Sequence, residues 1–93
     1  MTAVLRIPTV LRPAVHGQTT VEIVGTTVGE VLNNLVATYP TLEGQVLDAE
    51  GGLHRFLNIY VNDDDVRYLQ QLETPVANGD EISILPAVAG GAG

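Results

Sequence analysis

A mixed sheet of four to five strands around one main helix, an α+β fold, is what this 93-residue chain predicts, on three observations. Apolar residues alternate with a period of two in several short stretches, two of them before the helical segment and the rest after it. A single stretch repeats its apolar residues at helical spacing. Turn-forming residues separate all of these, so one helix and one sheet face are the layers available to cover each other.

The elements follow in order. Residues 3–7 alternate and stop at Pro8, and residues 19–24 place Val21 and Ile23 on one face with Thr20 and Glu22 on the other, so both read as strands, with Gly17 suited to the turn between them. Thr27-Val28-Gly29-Glu30 has the Thr-x-x-Glu spacing in which hydroxyl and carboxylate each satisfy an orphan amide at a helix start. The helix that follows aligns Val28, Val31, Leu32, Leu35 and Val36 in one apolar stripe, and Tyr39-Pro40 ends it, because proline disfavours helical geometry in the residue before it. Residues 41–55 lose any period and suggest an irregular crossing with a short helical turn. Residues 56–61 alternate again with Leu57, Ile59 and Val61 inward, a strand expected to be central in the sheet and closed by the polar turn Asn62-Asp63-Asp64-Asp65. A short strand is expected at 66–69, and Asn78-Gly79-Asp80 signals a turn into the last strand, 81–85. Two hairpins flanking one helix describe the β-grasp architecture. A right-handed crossover through the helix would set the first and last strands side by side in the middle of the sheet, with the tail leaving the sheet's edge into solvent.

Composition narrows the function. The chain is 45% hydrophobic and 16% charged, a globular balance that excludes disorder, and its length fits one domain. No apolar run approaches the roughly 20 residues of a membrane helix, and the start of the chain lacks the pattern of a signal peptide, so a soluble cytoplasmic protein with no membrane partner is expected. Cysteine is absent, which removes thiol nucleophiles and thiolate metal sites. The net charge of −7, eleven acidic residues against Arg6, Arg12, Arg55 and Arg67, repels phosphate backbones; it argues against nucleic acid and for basic protein partners. Lysine is missing, so an acyl group activated on this chain would find no ε-amine on a second copy.

The most informative segment is Leu85-Pro86-Ala87-Val88-Ala89-Gly90-Gly91-Ala92-Gly93, an apolar strand passing into glycine and alanine. Ordering glycine costs more conformational entropy than ordering any other residue, so a run of side-chain-free positions is expected where backbone must enter a narrow space. We therefore divide the chain into a β-grasp domain, 1–86, and a flexible glycine-rich tail, 87–93. From Ala87 to Gly91 the tail would reach about 16 Å when extended, enough to probe another protein's active site.

These residues carry a resemblance. The strand and helix order, Thr27-Val28-Gly29-Glu30-Val31, Asn78-Gly79-Asp80-Glu81-Ile82 and above all Leu85 through Gly91 resemble the ubiquitin-like sulfur carrier proteins, the family that serves molybdopterin, thiamin and cysteine biosynthesis. Ile7-Pro8-Thr9-Val10-Leu11-Arg12-Pro13 and the block from Leu53 to Arg67 are most similar to the cysteine-pathway branch. The resemblance spans the chain and implies a protein cosubstrate, not an enzyme. In such carriers an E1-like adenylating enzyme uses ATP to activate the carboxylate of the second glycine, sulfide displaces AMP, and a thiocarboxylate results. The carrier binds no cofactor; its cargo is the covalent sulfur. By this resemblance Gly91 is the acyl site, Gly90 supplies the slimness of its approach, and Ala87, Val88 and Ala89 are expected to bind the partner. A pyridoxal-phosphate cysteine synthase or another sulfur-accepting synthase receives the sulfur, and a metalloprotease releases the product. The chain departs from the family pattern in one respect: Ala92 and Gly93 follow the glycine pair and convert the Gly91 carboxyl into an amide. Removal of Ala92-Gly93 by a protease before activation is therefore expected, with activation of Gly93 itself as the competing reading.

Other features read as structural. Asp63-Asp64-Asp65 lacks the alternate-position spacing, glycine and distal glutamate of a calcium loop. His16 and His54 have no second ligand nearby in sequence, and Ser83 lies mid-strand with no local base. On the sheet, Phe56, Tyr60 and Leu85 fall on the faces opposite the inward sets, and these exposed apolar residues are the expected grip of the activating enzyme beside the tail. Two other functions remain open: a small subunit of molybdopterin synthase, and a non-catalytic β-grasp binding module with a frayed terminus.

Overall fold

A computed structural model describes residues 2–46 and 57–86. Along the chain these form β1 (Thr2–Arg6), a 3-10 segment (Thr9–Val15), β2 (Thr20–Val24), α1 (Val28–Thr38), a 3-10 turn (Pro40–Leu42), β3 (Leu57–Val61), β4 (Asp64–Asp65), two further 3-10 turns (Val66–Tyr68 and Gln71–Glu73) and β5 (Glu81–Pro86). The five strands make one mixed sheet in the order β2-β1-β5-β3-β4. β1 runs antiparallel to β2 and parallel to β5, while β3 is antiparallel to both β5 and β4. The β-grasp expectation holds, including the side-by-side placement of the first and last strands.

Alternation decides which face each strand buries. Ala3 and Leu5 of β1, Val21 and Ile23 of β2, Leu57, Ile59 and Val61 of β3, and Ile82 and Ile84 of β5 point into the core and are almost inaccessible. α1 closes this face with Val28, Val31, Leu32 and Leu35, all fully buried, and Val36 packs at the margin. Loop residues complete the core: Leu11 and Val15 from the first 3-10 segment, then Leu42, Val46, Val66 and Val76.

The helix start differs in one bond from the expected reciprocal cap. The Glu30 amide donates to Thr27 Oγ1 at 3.1 Å as the motif requires. The Glu30 carboxylate, however, reaches one residue further back, where Oε1 accepts the Thr26 amide at 2.8 Å and the Thr26 hydroxyl at 3.2 Å. The helix stops as expected: Tyr39 leaves helical geometry at φ −126°, ψ 80°, immediately before Pro40.

Three expectations are corrected. The strand expected at 66–69 is instead the two-residue β4, because Asn62 enters the left-handed region at φ 56° and turns the chain early enough for Asp64 and Asp65 to pair with Val61 and Tyr60. Val66–Tyr68 is then a 3-10 turn that drops Val66 into the core. β3 is not the middle strand; β5 is, flanked by β1 and β3, since the parallel β1–β5 ladder takes the central position. The tail therefore begins at the end of the middle strand, and the lateral edges of the sheet are β2 and β4. Between β1 and β2 there is no tight hairpin but the seven-residue 3-10 segment, which returns through His16 and Gly17, both at positive φ. The strand residue Phe56 and most of the crossing at 41–55 lie outside the described residues.

Candidate functional site

The site of interest is the end of β5 from which the chain continues past Pro86, together with the solvent-facing side of the sheet beside it. β5 is held in place along its length. Its first turn is clipped to β1: the Gly79 amide donates to the Thr2 carbonyl at 2.8 Å, the Thr2 amide to Asn78 Oδ1 at 3.0 Å and the Val4 amide to the Asp80 carbonyl at 2.9 Å. On the other side Asn62 bridges to it, its amide donating to the Glu81 carbonyl at 2.6 Å and its Oδ1 accepting the Glu81 amide at 3.2 Å. Asp80 Oδ2 in turn accepts the Ala77 amide at 2.8 Å and closes the turn.

Because Ile82 and Ile84 face inward, Glu81, Ser83 and Leu85 face solvent. Register then assembles the outer face. Ser83 lies between Arg6 of β1 and Tyr60 of β3, and Leu85 lies opposite Asn58. Tyr60 and Leu85 are thus diagonal neighbours across one ladder, close enough for an aromatic ring to share a surface with an aliphatic side chain. Leu85 keeps 46% of its surface exposed, and Tyr60 is half-buried. Arg6 Nη1 stands 3.7 Å from Glu81 Oε1, both side chains largely in solvent. The surface next to the end of β5 is therefore a small apolar centre, Tyr60 with Leu85, bordered by polar Asn58 and Ser83 and by a loose ion pair.

The structure sets Tyr60 and Leu85 side by side on the outer face, whereas Phe56, Ala87, Val88, Ala89, Gly90 and Gly91 lie outside the described residues. Arg6, Ser83 and Asn58 were missed as members of this face. Strand parity alone marks Ser83 as pointing outward, but cross-strand neighbours require the register, which no local pattern supplies. Ser83 is a hydroxyl on the outer face, between an arginine and a tyrosine. His16 caps the first 3-10 segment and sets its ring edge-on to Tyr39 at 5.9 Å between centroids. Among the described residues no group of three His, Cys, Asp or Glu side chains is placed to hold a metal ion, and no helix is long and apolar enough to cross a membrane.

Comparison with known proteins bears on the same end of the chain. The sulfur carrier protein CysO of Mycobacterium tuberculosis is 48% identical over 93 residues, covering 98% of this chain and 100% of the relative. In a crystal structure of the Amycolatopsis orientalis BexX/CysO complex, one chain superimposes with a TM-score of 0.86 at 42% identity, covering 95% of this chain and 98% of that one. The solution structure of small archaeal modifier protein 1 from Methanosarcina acetivorans matches with a TM-score of 0.82 at 32% identity, over 96% of this chain and 95% of its own. Residues 5–91 match the ThiS family, a span that takes in most of the sheet and the glycine pair, and the chain belongs to that family.

Proposed function

We propose that this chain is a sulfur carrier, a protein cosubstrate whose Gly91 carboxyl is adenylated and converted to a thiocarboxylate. The observation that carries this reading is continuity: the family match extends through Gly91, and the segment leading to Gly90-Gly91 follows directly from the central, doubly paired strand β5. A rigid body presents a thin backbone. The near full-length likeness to a CysO sulfur carrier supports cysteine biosynthesis as the pathway.

The chemistry needs no reactive side chain on this protein, which has no cysteine. A carboxylate is a poor acyl donor because oxide would have to leave. An E1-like partner transfers the Gly91 carboxylate to the α-phosphorus of ATP, releasing pyrophosphate; hydrosulfide then attacks the acyl carbon, AMP leaves, and the sulfur stays on Gly91 as a thiocarboxylate. That sulfur is an anionic nucleophile at neutral pH and attacks an acceptor held by a pyridoxal-phosphate synthase. The new bond leaves the product joined to Gly91 as a thioester. The product's own amine then attacks the acyl carbon, the acyl–sulfur bond breaks to free the thiol, and the resulting peptide bond holds the product on Gly91 until a metalloprotease hydrolyses it. Ala92-Gly93 must first be hydrolysed from Gly91, since an amide lacks the free carboxylate oxygen that attacks the α-phosphorus of ATP.

In this reading Ala87, Val88 and Ala89 thread the partner's channel with Gly90, while Tyr60, Leu85 and Phe56 seat the body against the channel mouth. Binding is weak and reversible, because a carrier must leave one enzyme for the next. A second use of the activated end is favoured by the likeness to small archaeal modifier protein 1. A lysine ε-amine of another protein attacks the acyl-adenylate and AMP leaves, forming an isopeptide bond. The absence of lysine in this chain means that such conjugates do not extend through an ε-amine of a second copy.

Intact-mass analysis tests the proposal. The full chain and a chain ending at Gly91 are each incubated with ATP, sulfide and the adenylating enzyme from the same cell. The shortened chain gains the mass difference of sulfur for oxygen, and the full chain gains it only after losing Ala92-Gly93. Sulfur appearing on intact Gly93 would overturn the assignment of Gly91, and no ATP-pyrophosphate exchange with either form would leave a binding module. Co-purification with a molybdopterin synthase large subunit, in place of a pyridoxal-phosphate enzyme, would reassign the pathway.

A further inference from the structure

β2 is a lateral edge of the sheet, and the way its backbone is used leaves a defined opening. The Val4 amide points at β5, so Ala3, Leu5 and Ile7 turn their backbone groups toward β2, as the Ile7 amide shows by donating to the Thr19 carbonyl at 2.9 Å. By the alternation of an antiparallel ladder, Val21 and Ile23 face β1, and Thr20, Glu22 and Val24 turn their amides and carbonyls outward. One of these outward groups is already occupied: Asn34 of α1 donates Nδ2 to the Val24 carbonyl at 2.7 Å. Among the described residues, Thr20 and Glu22 keep an N–H and a C=O each without a partner, and Val24 keeps its N–H.

Beside this edge runs a groove of about 510 Å³ between β2 and the second half of α1, with Ala37, Asn34 and Thr38 forming its helical wall. Gln18 and Tyr39 close one end, Gln18 donating to the Val15 carbonyl at 2.9 Å and to the Tyr39 hydroxyl at 3.0 Å. Val24 stands 61% exposed on the solvent side. Among the described residues, Glu22 is the only charged one in the lining.

We infer that this edge and groove form a docking site for an extended segment of a partner protein that adds to β2 as a sixth strand and carries an arginine or lysine opposite Glu22. Side-chain parity defines the segment's chemistry. Residues on the Glu22 side lie beside Thr20, Glu22 and Val24, where a cation meets the single carboxylate; residues on the other side lie against Ala37, where small or β-branched apolar groups fit. A second copy of this chain is the poorer occupant, because pairing β2 with β2 about its centre sets Glu22 against Glu22. The net charge of −7 likewise favours a basic partner. The site stands apart from the sulfur-carrier reading: β1 separates β2 from β5, so a segment can occupy the edge while the chain beyond Pro86 is engaged elsewhere.

The test is a titration of the isotope-labelled full chain with a capped Val-Arg-Val-Thr-Val peptide, followed by amide chemical shifts. Shifts are expected to concentrate at residues 20–24 and 34–39. Glu22→Lys is expected to weaken the peptide about tenfold and to restore binding of the counterpart carrying glutamate in place of arginine. Glu22→Gln, which changes charge without reversing it, gives an intermediate effect and serves if the lysine variant folds poorly. Shifts centred on Tyr60 and Leu85, no shifts at all, indifference to the Glu22 charge, or concentration-dependent broadening of the β2 amides without peptide would each overturn the inference.

Discussion

Gly25 lies so close beneath Val31 that a Cβ built on it would stand 2.5 Å from Val31 Cγ2, 2.8 Å from the Val31 backbone nitrogen and 3.0 Å from its Cα. The chain leaving β2 therefore passes against the first turn of α1 at a separation only glycine allows. A flexible side chain could give way, but a helix backbone cannot without moving the helix off the sheet.

Gly25→Ala is accordingly expected to cost about 1–3 kcal/mol, the range for overpacking a filled site. Urea denaturation of the variant and its parent measures this, and an unchanged midpoint would mean that α1 and β2 separate more freely than their contact implies.

Thr27→Ala removes the acceptor for the Glu30 amide and should cost about 1 kcal/mol. Glu30→Ala removes the acceptor for both Thr26 groups. The three bonds share Glu30, so the double variant should cost less than the sum of the singles, and a double-mutant cycle by chemical denaturation reads the difference.

Asn62 is held at φ 56°, a conformation in which a side chain beyond Cβ is tolerated best when it bonds locally. Here its Oδ1 accepts the Glu81 amide. Asn62→Ala loses both the tolerance and the bond and should cost about 2 kcal/mol, whereas Asn62→Gly keeps the backbone accessible and should cost less. Thermal unfolding of the pair ranks them, and an alanine variant as stable as the glycine variant would show that the turn relaxes.

Leu85→Asp and Tyr60→Ala probe the outer face. Both side chains border solvent, so stability should stay within about 0.5 kcal/mol for the first and change modestly for the second. If this face seats the activating enzyme, each substitution should lower kcat/KM for adenylation about tenfold, while an outward change on the far edge, Thr20→Ala, leaves it alone. Equal rates for all three in an ATP-pyrophosphate exchange assay would remove the sheet face from the encounter.

Much of the fold was legible because the relevant signals are local. The period-two pattern of Thr20 to Val24 and of Leu57 to Val61, the stripe from Val28 to Leu35 and the Asn78-Gly79-Asp80 turn each declare themselves within a few residues. What stayed hidden depends on partners distant in sequence. The 3-10 segment at Thr9–Val15 carries a proline and no regular period, yet it buries Leu11 and Val15 because the sheet and Leu42 wait beneath it. β4 is two aspartates long, a length at which composition argues for a turn and only pairing with Tyr60 and Val61 makes a strand. At the candidate site, outward parity of Tyr60, Leu85 and Ser83 was readable from their own strands, but Asn58 is set beside them by the antiparallel β3–β5 register and Arg6 by the parallel ladder between the first and last strands.

That ladder also has a mechanical meaning. β5 is bonded along both flanks, to β1 running the same way and to β3 running the opposite way. A pull on the backbone beyond Pro86 is directed along the strand, so the flanking hydrogen bonds bear it simultaneously in shear instead of opening one after another like a zipper. An enzyme can draw the chain's end taut into its interior without unravelling the body that carries it.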